Sequence, residues 1–174
     1  KELERMRKDA LQARPDSVVL QTQYYDLLLA MGRSALKTDQ FQQSTTYLNA
    51  ALRGYNELHE KQPHHPNYLL AIGDILVCLG KAYQNLNNAG ASQLTLDKAL
   101  QVAQWLSQLG SDSYVIQLAV AKILFAISQS RAYESQKMDL LKQAENQAQR
   151  LQHHLQNPVV NALIQDIAQQ QAAA

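Results

Sequence analysis

The feature that most constrains this chain is an apolar hexad that returns at a fixed interval. Leu27-Leu28-Leu29-Ala30-Met31-Gly32 recurs as Ile75-Leu76-Val77-Cys78-Leu79-Gly80 and again as Ile123-Leu124-Phe125-Ala126-Ile127-Ser128, 48 residues apart both times. Asp26 precedes the first copy and Asp74 the second, while Lys122 holds that place in the third. The segments that follow also repeat. Leu48, Ala51, Tyr55 and Leu58 align with Leu96, Ala99, Ala103 and Leu106 at 48 residues, then with Leu141, Ala144, Ala148 and Leu151 at 45, so the third turn is three residues shorter. A period of this length marks an array of supersecondary units, none of which can bury its apolar face alone.

Breakers divide the array into helices. Pro15-Asp16-Ser17, Thr38-Asp39, Pro63-His64-His65-Pro66, Asn87-Asn88-Ala89-Gly90, Gly110-Ser111-Asp112, a weaker break near Tyr133, and Asn157-Pro158 leave eight helical segments, near 2–13, 17–38, 40–61, 66–87, 91–109, 112–131, 134–155 and 158–171. Pro66 and Pro158 suit a first helical turn, and Asp16, Ser17, Ser111 and Asp112 suit N-caps. Phe41, Leu48, Ala51, Leu52, Tyr55 and Leu58 share one face of an amphipathic helix. The hexad helices are apolar over most of their circumference and should lie between neighbours. The expected organisation is one all-α domain over 1–174: a partial N-terminal pair at 1–13, repeats at 17–61, 66–109 and 112–155, and a capping helix at 158–171.

Composition removes several functions. Sixteen basic residues stand against 15 acidic ones, so no uniform attraction to nucleic acid or anionic lipid is expected. The run Tyr114 to Ile127 is interrupted by Gln117 and Lys122 and is too short to span a bilayer. One cysteine, Cys78, precludes an internal disulfide. The 24 glutamines are good helix formers and suit solvated helix faces. The start at Lys1, without Met or a signal-like stretch, suggests a piece of a longer protein.

The offsets within each repeat resemble the tetratricopeptide repeat. In that family a Leu-Gly pair on the first helix is followed by an aromatic nine residues after the Gly, then by small or apolar residues. Met31-Gly32 is followed at those offsets by Phe41, Ser44, Leu48 and Ala51; Leu79-Gly80 is followed by Ala89, Ser92, Leu96 and Ala99, without the aromatic. The third copy has Ser128 for Gly. Glycine within a helix costs roughly 1 kcal/mol relative to Ala, so Gly32 and Gly80 imply a partner helix packed over them, with Ala51 and Ala99 expected opposite. The familiar repeat has 34 residues. This longer form is similar to helical regions that follow the kinase domain of some bacterial serine/threonine kinases, through Tyr55-Asn56-Glu57-Leu58, Pro63, Asn67-Tyr68 and Leu79-Gly80. The chain itself carries no Gly-rich phosphate loop, HRD or DFG triplet.

The resemblance implies a right-handed α-solenoid in which the first helix of each pair lines a concave, partner-binding groove. Carried over residue by residue, that lining is Asp26, Leu29, Arg33, Leu36 and Lys37; Asp74, Val77, Lys81, Gln84 and Asn85; and Lys122, Phe125, Gln129, Ala132 and Tyr133. Arg33, Lys37, Lys81 and Lys122 would form a basic strip for a carboxylate-bearing peptide. The alternative is a solvated wall with local ion pairs, Asp26 and Asp74 binding those bases within the fold.

No enzyme, metal or cofactor is expected. His64-His65 and His153-His154 lack converging Cys or carboxylate partners in sequence. Cys78 sits in an apolar block and reads as a buried thiol, and no nucleophile has a base and an oxyanion loop beside it. Trp105 reads as a packing residue. Val159, Val160, Leu163, Ile164 and Ile167 give the last helix a dry side. Leu3, Met6 and Ala10 repeat the Leu48, Ala51, Tyr55 spacing, so the first helix reads as half of a pair with an open apolar end. Self-association there makes an oligomerisation module the second hypothesis beside a protein- or peptide-binding scaffold.

Overall fold

A computed structural model of the chain describes residues 2–14, 16–109, 113–154 and 157–173, with no side-chain account of Leu3, Glu4, Arg7, His153 and His154. Eight α-helices follow in order: α1 (Glu2–Ala13), α2 (Val18–Lys37), α3 (Phe41–Lys61), α4 (Pro66–Asn85), α5 (Ala89–Leu109), α6 (Tyr114–Ser128), α7 (Lys137–His154) and α8 (Pro158–Ala172). A 3₁₀ segment, Arg131–Gln136, joins α6 to α7. There is no strand among the described residues, and the architecture is an all-α helical-repeat solenoid.

Each helix packs on the next, and a second set of contacts skips one helix: α2 touches α4, α4 touches α6 and α6 touches α8. Among the described residues α3 makes no such contact with α5, nor α5 with α7. The even-numbered helices therefore form a continuous inner row, while the odd-numbered ones stand apart as an outer row. This explains why the hexad helices are apolar nearly all round: α4 buries Leu69, Ile72, Ile75, Leu76, Leu79 and Ala82 between α2, α3, α5 and α6.

Three local devices recur at the 48-residue interval. Asp39 and Asn87 both take positive φ (59° and 55°) just past the ends of α2 and α4, a conformation that Asn and Asp tolerate better than most side chains. The amide of the next residue then closes each end, Gln40 N donating to Ala35 O and Asn88 N to Tyr83 O, both at 2.9 Å. Secondly, a Cβ on Gly32 would lie 2.6 Å from Leu48 Cγ, and one on Gly80 2.5 Å from Leu96 Cδ2. The residues that need the glycines are thus Leu48 and Leu96. The expectation of Ala51 and Ala99 is corrected: both are buried, one turn further along. Thirdly, Ser44 Oγ donates to Gly32 O (2.8 Å) and Ser92 Oγ to Gly80 O (2.9 Å), tying each pair at its glycine.

The third copy departs where its sequence does. Ser128 replaces the glycine, α6 ends there instead of near 131, and α7 starts at Lys137 instead of near 134. Between them Ser130 Oγ accepts from Ala132 N at 3.4 Å, and the 3₁₀ segment is kinked at Tyr133. Ser17 caps α2 through Leu20 N (3.4 Å), and Asn157 caps α8 through Val159 N (2.8 Å). Pro66 and Pro158 occupy first turns. The expected caps Ser111 and Asp112 lie outside the described residues; Ser113 precedes α6. At the far end α8 packs on α7 and α6, burying Val160, Leu163 and Ile167 and leaving Val159 exposed.

Candidate partner-binding groove

The inner row leaves crevices between successive helices, and two of them occupy equivalent places. The first, about 430 Å³, lies between α2 and α4 and is lined by Thr22, Asp26, Asn67 and Ala71 among others. The second, about 290 Å³, lies between α4 and α6 and is lined at the matching positions by Leu70, Asp74, Val115 and Ala119. The repeat thus places the same four positions around both, but the chemistry differs. Thr22 becomes Leu70 and Asn67 becomes Val115, so the second crevice is walled by aliphatic groups.

The charged residues on this face are arranged by the same repeat. Tyr55, reaching from α3, donates its hydroxyl to Asp26 of α2. Its counterpart 48 residues on is Ala103, which leaves Asp74 without a tyrosine, and Asp74 pairs with Arg33 of the preceding inner helix. Lys122 stands in the third place, exposed and on the rim of the second crevice. Burial, followed by the hydrogen bond to Asp26, pushes the Tyr55 hydroxyl well above its ordinary value. Around Tyr55 the rings of Tyr24, Tyr25, Tyr55, Tyr68 and His65 stack in sequence at centroid separations of 5.9, 5.9, 6.3 and 4.4 Å, filling the layer between α2, α3 and α4.

Of the residues expected to line the groove, Arg33, Asp74, Val77 and Lys122 meet in the second crevice and Asp26 lines the first. Lys37, Lys81, Asn85 and Gln129 are exposed on inner helices or their ends, with Asn85 Nδ2 turned back to Lys81 O (2.8 Å) and Gln129 Nε2 to Ser128 Oγ (3.1 Å). Phe125 is half-buried against the core. Two expectations are corrected. Leu29, only 7 % exposed, belongs to the core because the inner helices touch one another. Tyr133, 2 % exposed, is folded inward by the 3₁₀ segment and donates its hydroxyl to Asp97 of α5. Trp105 is a further correction: half of it faces solvent on the outer helix α5. Leu70, Val115 and Leu118 were missed as lining residues. Their signal was present, since each precedes Asp74 or Lys122 by four or seven residues and so shares its helix face.

Cys78 is buried within α4. Among the described residues no three His, Cys, Asp or Glu side chains converge, and no single helix is long and apolar enough to cross a membrane. His153 and His154 have side chains outside the described residues. No family model, characterised protein or solved structure matches the chain.

Proposed function

We propose that this chain is a tetratricopeptide-like interaction scaffold, part of a larger regulatory or signalling protein, whose inner face holds a peptide or a segment of a partner domain. The observation that carries the reading is the asymmetry of the helix contacts. Inner helices touch and outer ones do not, which leaves a row of crevices along one face, with exposed lysines beside them. Crevices of this size suit side chains of a macromolecule better than a whole cofactor, for which pockets of about 300–1,000 Å³ are usual. The attachment to a kinase or another regulatory domain rests on the sequence resemblance alone.

A second reading is favoured by a separate observation. Met6 and Val19 are 62 % and 66 % exposed on the first layer, an apolar end suited to contact with another copy. The double variant Lys81→Glu/Lys122→Glu separates the two. Peptides selected on the intact chain should lose binding to this variant while light scattering shows an unchanged oligomeric state. Unchanged peptide binding, with oligomerisation abolished by Val19→Lys, would move the function to the stack end.

A further inference from the structure

The inner row is more basic than the chain total implies. Helices α2, α4 and α6 carry four basic side chains, Arg33, Lys37, Lys81 and Lys122, against two acidic ones, Asp26 and Asp74. Helices α3, α5 and α7 carry six basic against five acidic. Both inner carboxylates are moreover engaged from within, Asp26 by Tyr55 and Asp74 by Arg33. Lys37, Lys81 and Lys122 are exposed and have no ion-pair partner among the described residues. The face therefore offers cations that the fold leaves unmatched.

Only one of these lysines stands over an apolar hollow. Lys122 rims the crevice walled by Leu70, Val77, Val115, Leu118 and Ile123. No aromatic side chain lines it. We propose that the crevice between α4 and α6 takes an aliphatic side chain of a partner segment, and that a carboxylate adjoining that side chain is bound by Lys122. The assignment rests on the groove reading and gives its ligand a chemistry: an acidic, aliphatic peptide. The aliphatic group gains by leaving water, and the carboxylate supplies the charge that Lys122 lacks. A single-stranded nucleic acid fits less well. It calls for base stacking on aromatic groups and a long phosphate track, whereas this crevice is aliphatic and the unmatched lysines are three.

The test uses the whole chain and two randomised peptide libraries. One displays peptides fused at their C-termini, so that only side-chain carboxylates are offered; the other displays free C-termini. Enrichment of Asp or Glu within a turn of Leu, Ile or Val supports the proposal, and the library in which it occurs tells whether the carboxylate comes from a side chain or a chain end. The enriched peptide, measured by fluorescence anisotropy, should bind Lys122→Glu about tenfold more weakly, a difference of about 1.4 kcal/mol. Leu118→Gln should weaken it similarly, and circular dichroism should show both variants as helical as the parent. Lys122→Gln, which removes charge without reversing it, should fall between. Enrichment of basic or aromatic peptides overturns the proposal while leaving the groove reading in place, as does an acidic peptide indifferent to Lys122→Glu. Tighter binding of an oligouridine than of any selected peptide overturns it too. If neither library enriches, the groove reading itself fails with it.

Discussion

Arg33 of α2 and Asp74 of α4 form an ion pair that ties one inner helix to the next. The side chains are 47 % and 39 % exposed, so the attraction is screened and contributes no more than about 1 kcal/mol. Arg33→Ala should lower the urea unfolding free energy by less than about 1 kcal/mol, and the loss should shrink further in high salt. A loss several times larger, insensitive to salt, would show that the pair is a structural clamp. Asp74→Asn releases Arg33 and should tighten binding of an acidic peptide, read by anisotropy.

Gly32 and Gly80 are set by contact, and Gly90 is not. Alanine is the better helix former by roughly 1 kcal/mol, yet its Cβ would meet Leu48 or Leu96 at about the distance of a covalent 1,3 contact. Overpacking of this kind costs about 1–3 kcal/mol. Gly32→Ala and Gly80→Ala should therefore destabilise, while Gly90→Ala, with open space around its Cβ, should be neutral or stabilising. Leu48→Ala should cost about 2–5 kcal/mol, and the double variant Gly32→Ala/Leu48→Ala should cost less than the two single losses together. Chemical denaturation of the four variants checks the ordering; a stabilised Gly32→Ala would refute the close contact.

Alkaline pH should weaken the fold. The hydroxyls of Tyr55 and Tyr133 are buried and hydrogen-bonded to Asp26 and Asp97, and both are pushed above the usual tyrosine value near 10. A tyrosine held protonated in the fold but free to ionise when unfolded contributes stability in full below about pH 10 and loses it as pH rises further. Unfolding midpoints should fall above that pH, and Tyr55→Phe or Tyr133→Phe should flatten the fall while lowering stability at neutral pH by about 1.5–3 kcal/mol, the range for hydrogen bonds to charged groups.

Trp105 is the chain's single tryptophan and lies half in water on an outer helix. Its fluorescence should peak toward the red of a buried indole, and Trp105→Ala should cost less than about 1 kcal/mol in denaturant. A blue-shifted emission at low concentration that persists on dilution would show that the indole is covered.

The solenoid was legible because its repeat is written twice over, in the hexads and in the Leu48-type helices. An apolar segment flanked by glycine at a fixed spacing leaves few alternatives to stacked pairs. The groove was only partly legible. Arg33, Asp74 and Lys122 share a register position with a repeat mate, and the structure brings all three together. Tyr133 could not be placed that way, because a connection three residues shorter replaces helix with a 3₁₀ segment and rotates the residue into the core. Leu29 misled for another reason: periodicity shows that a helix is apolar all round, but not how closely its second neighbour approaches. The exchange of Thr22 and Asn67 for Leu70 and Val115 was visible in the aligned repeats, yet only the crevices show what those positions face.

The separation of the outer helices has a mechanical consequence. Flexing the row about its inner contacts changes the distance from α3 to α5 and from α5 to α7 without breaking any direct contact between them, since none exists among the described residues. Stiffness is therefore lowest for bending and highest along the inner row. A guest wedged between α4 and α6 would be resisted chiefly by the springiness of that row, and the work of opening the crevice would be spread over every pair in the stack.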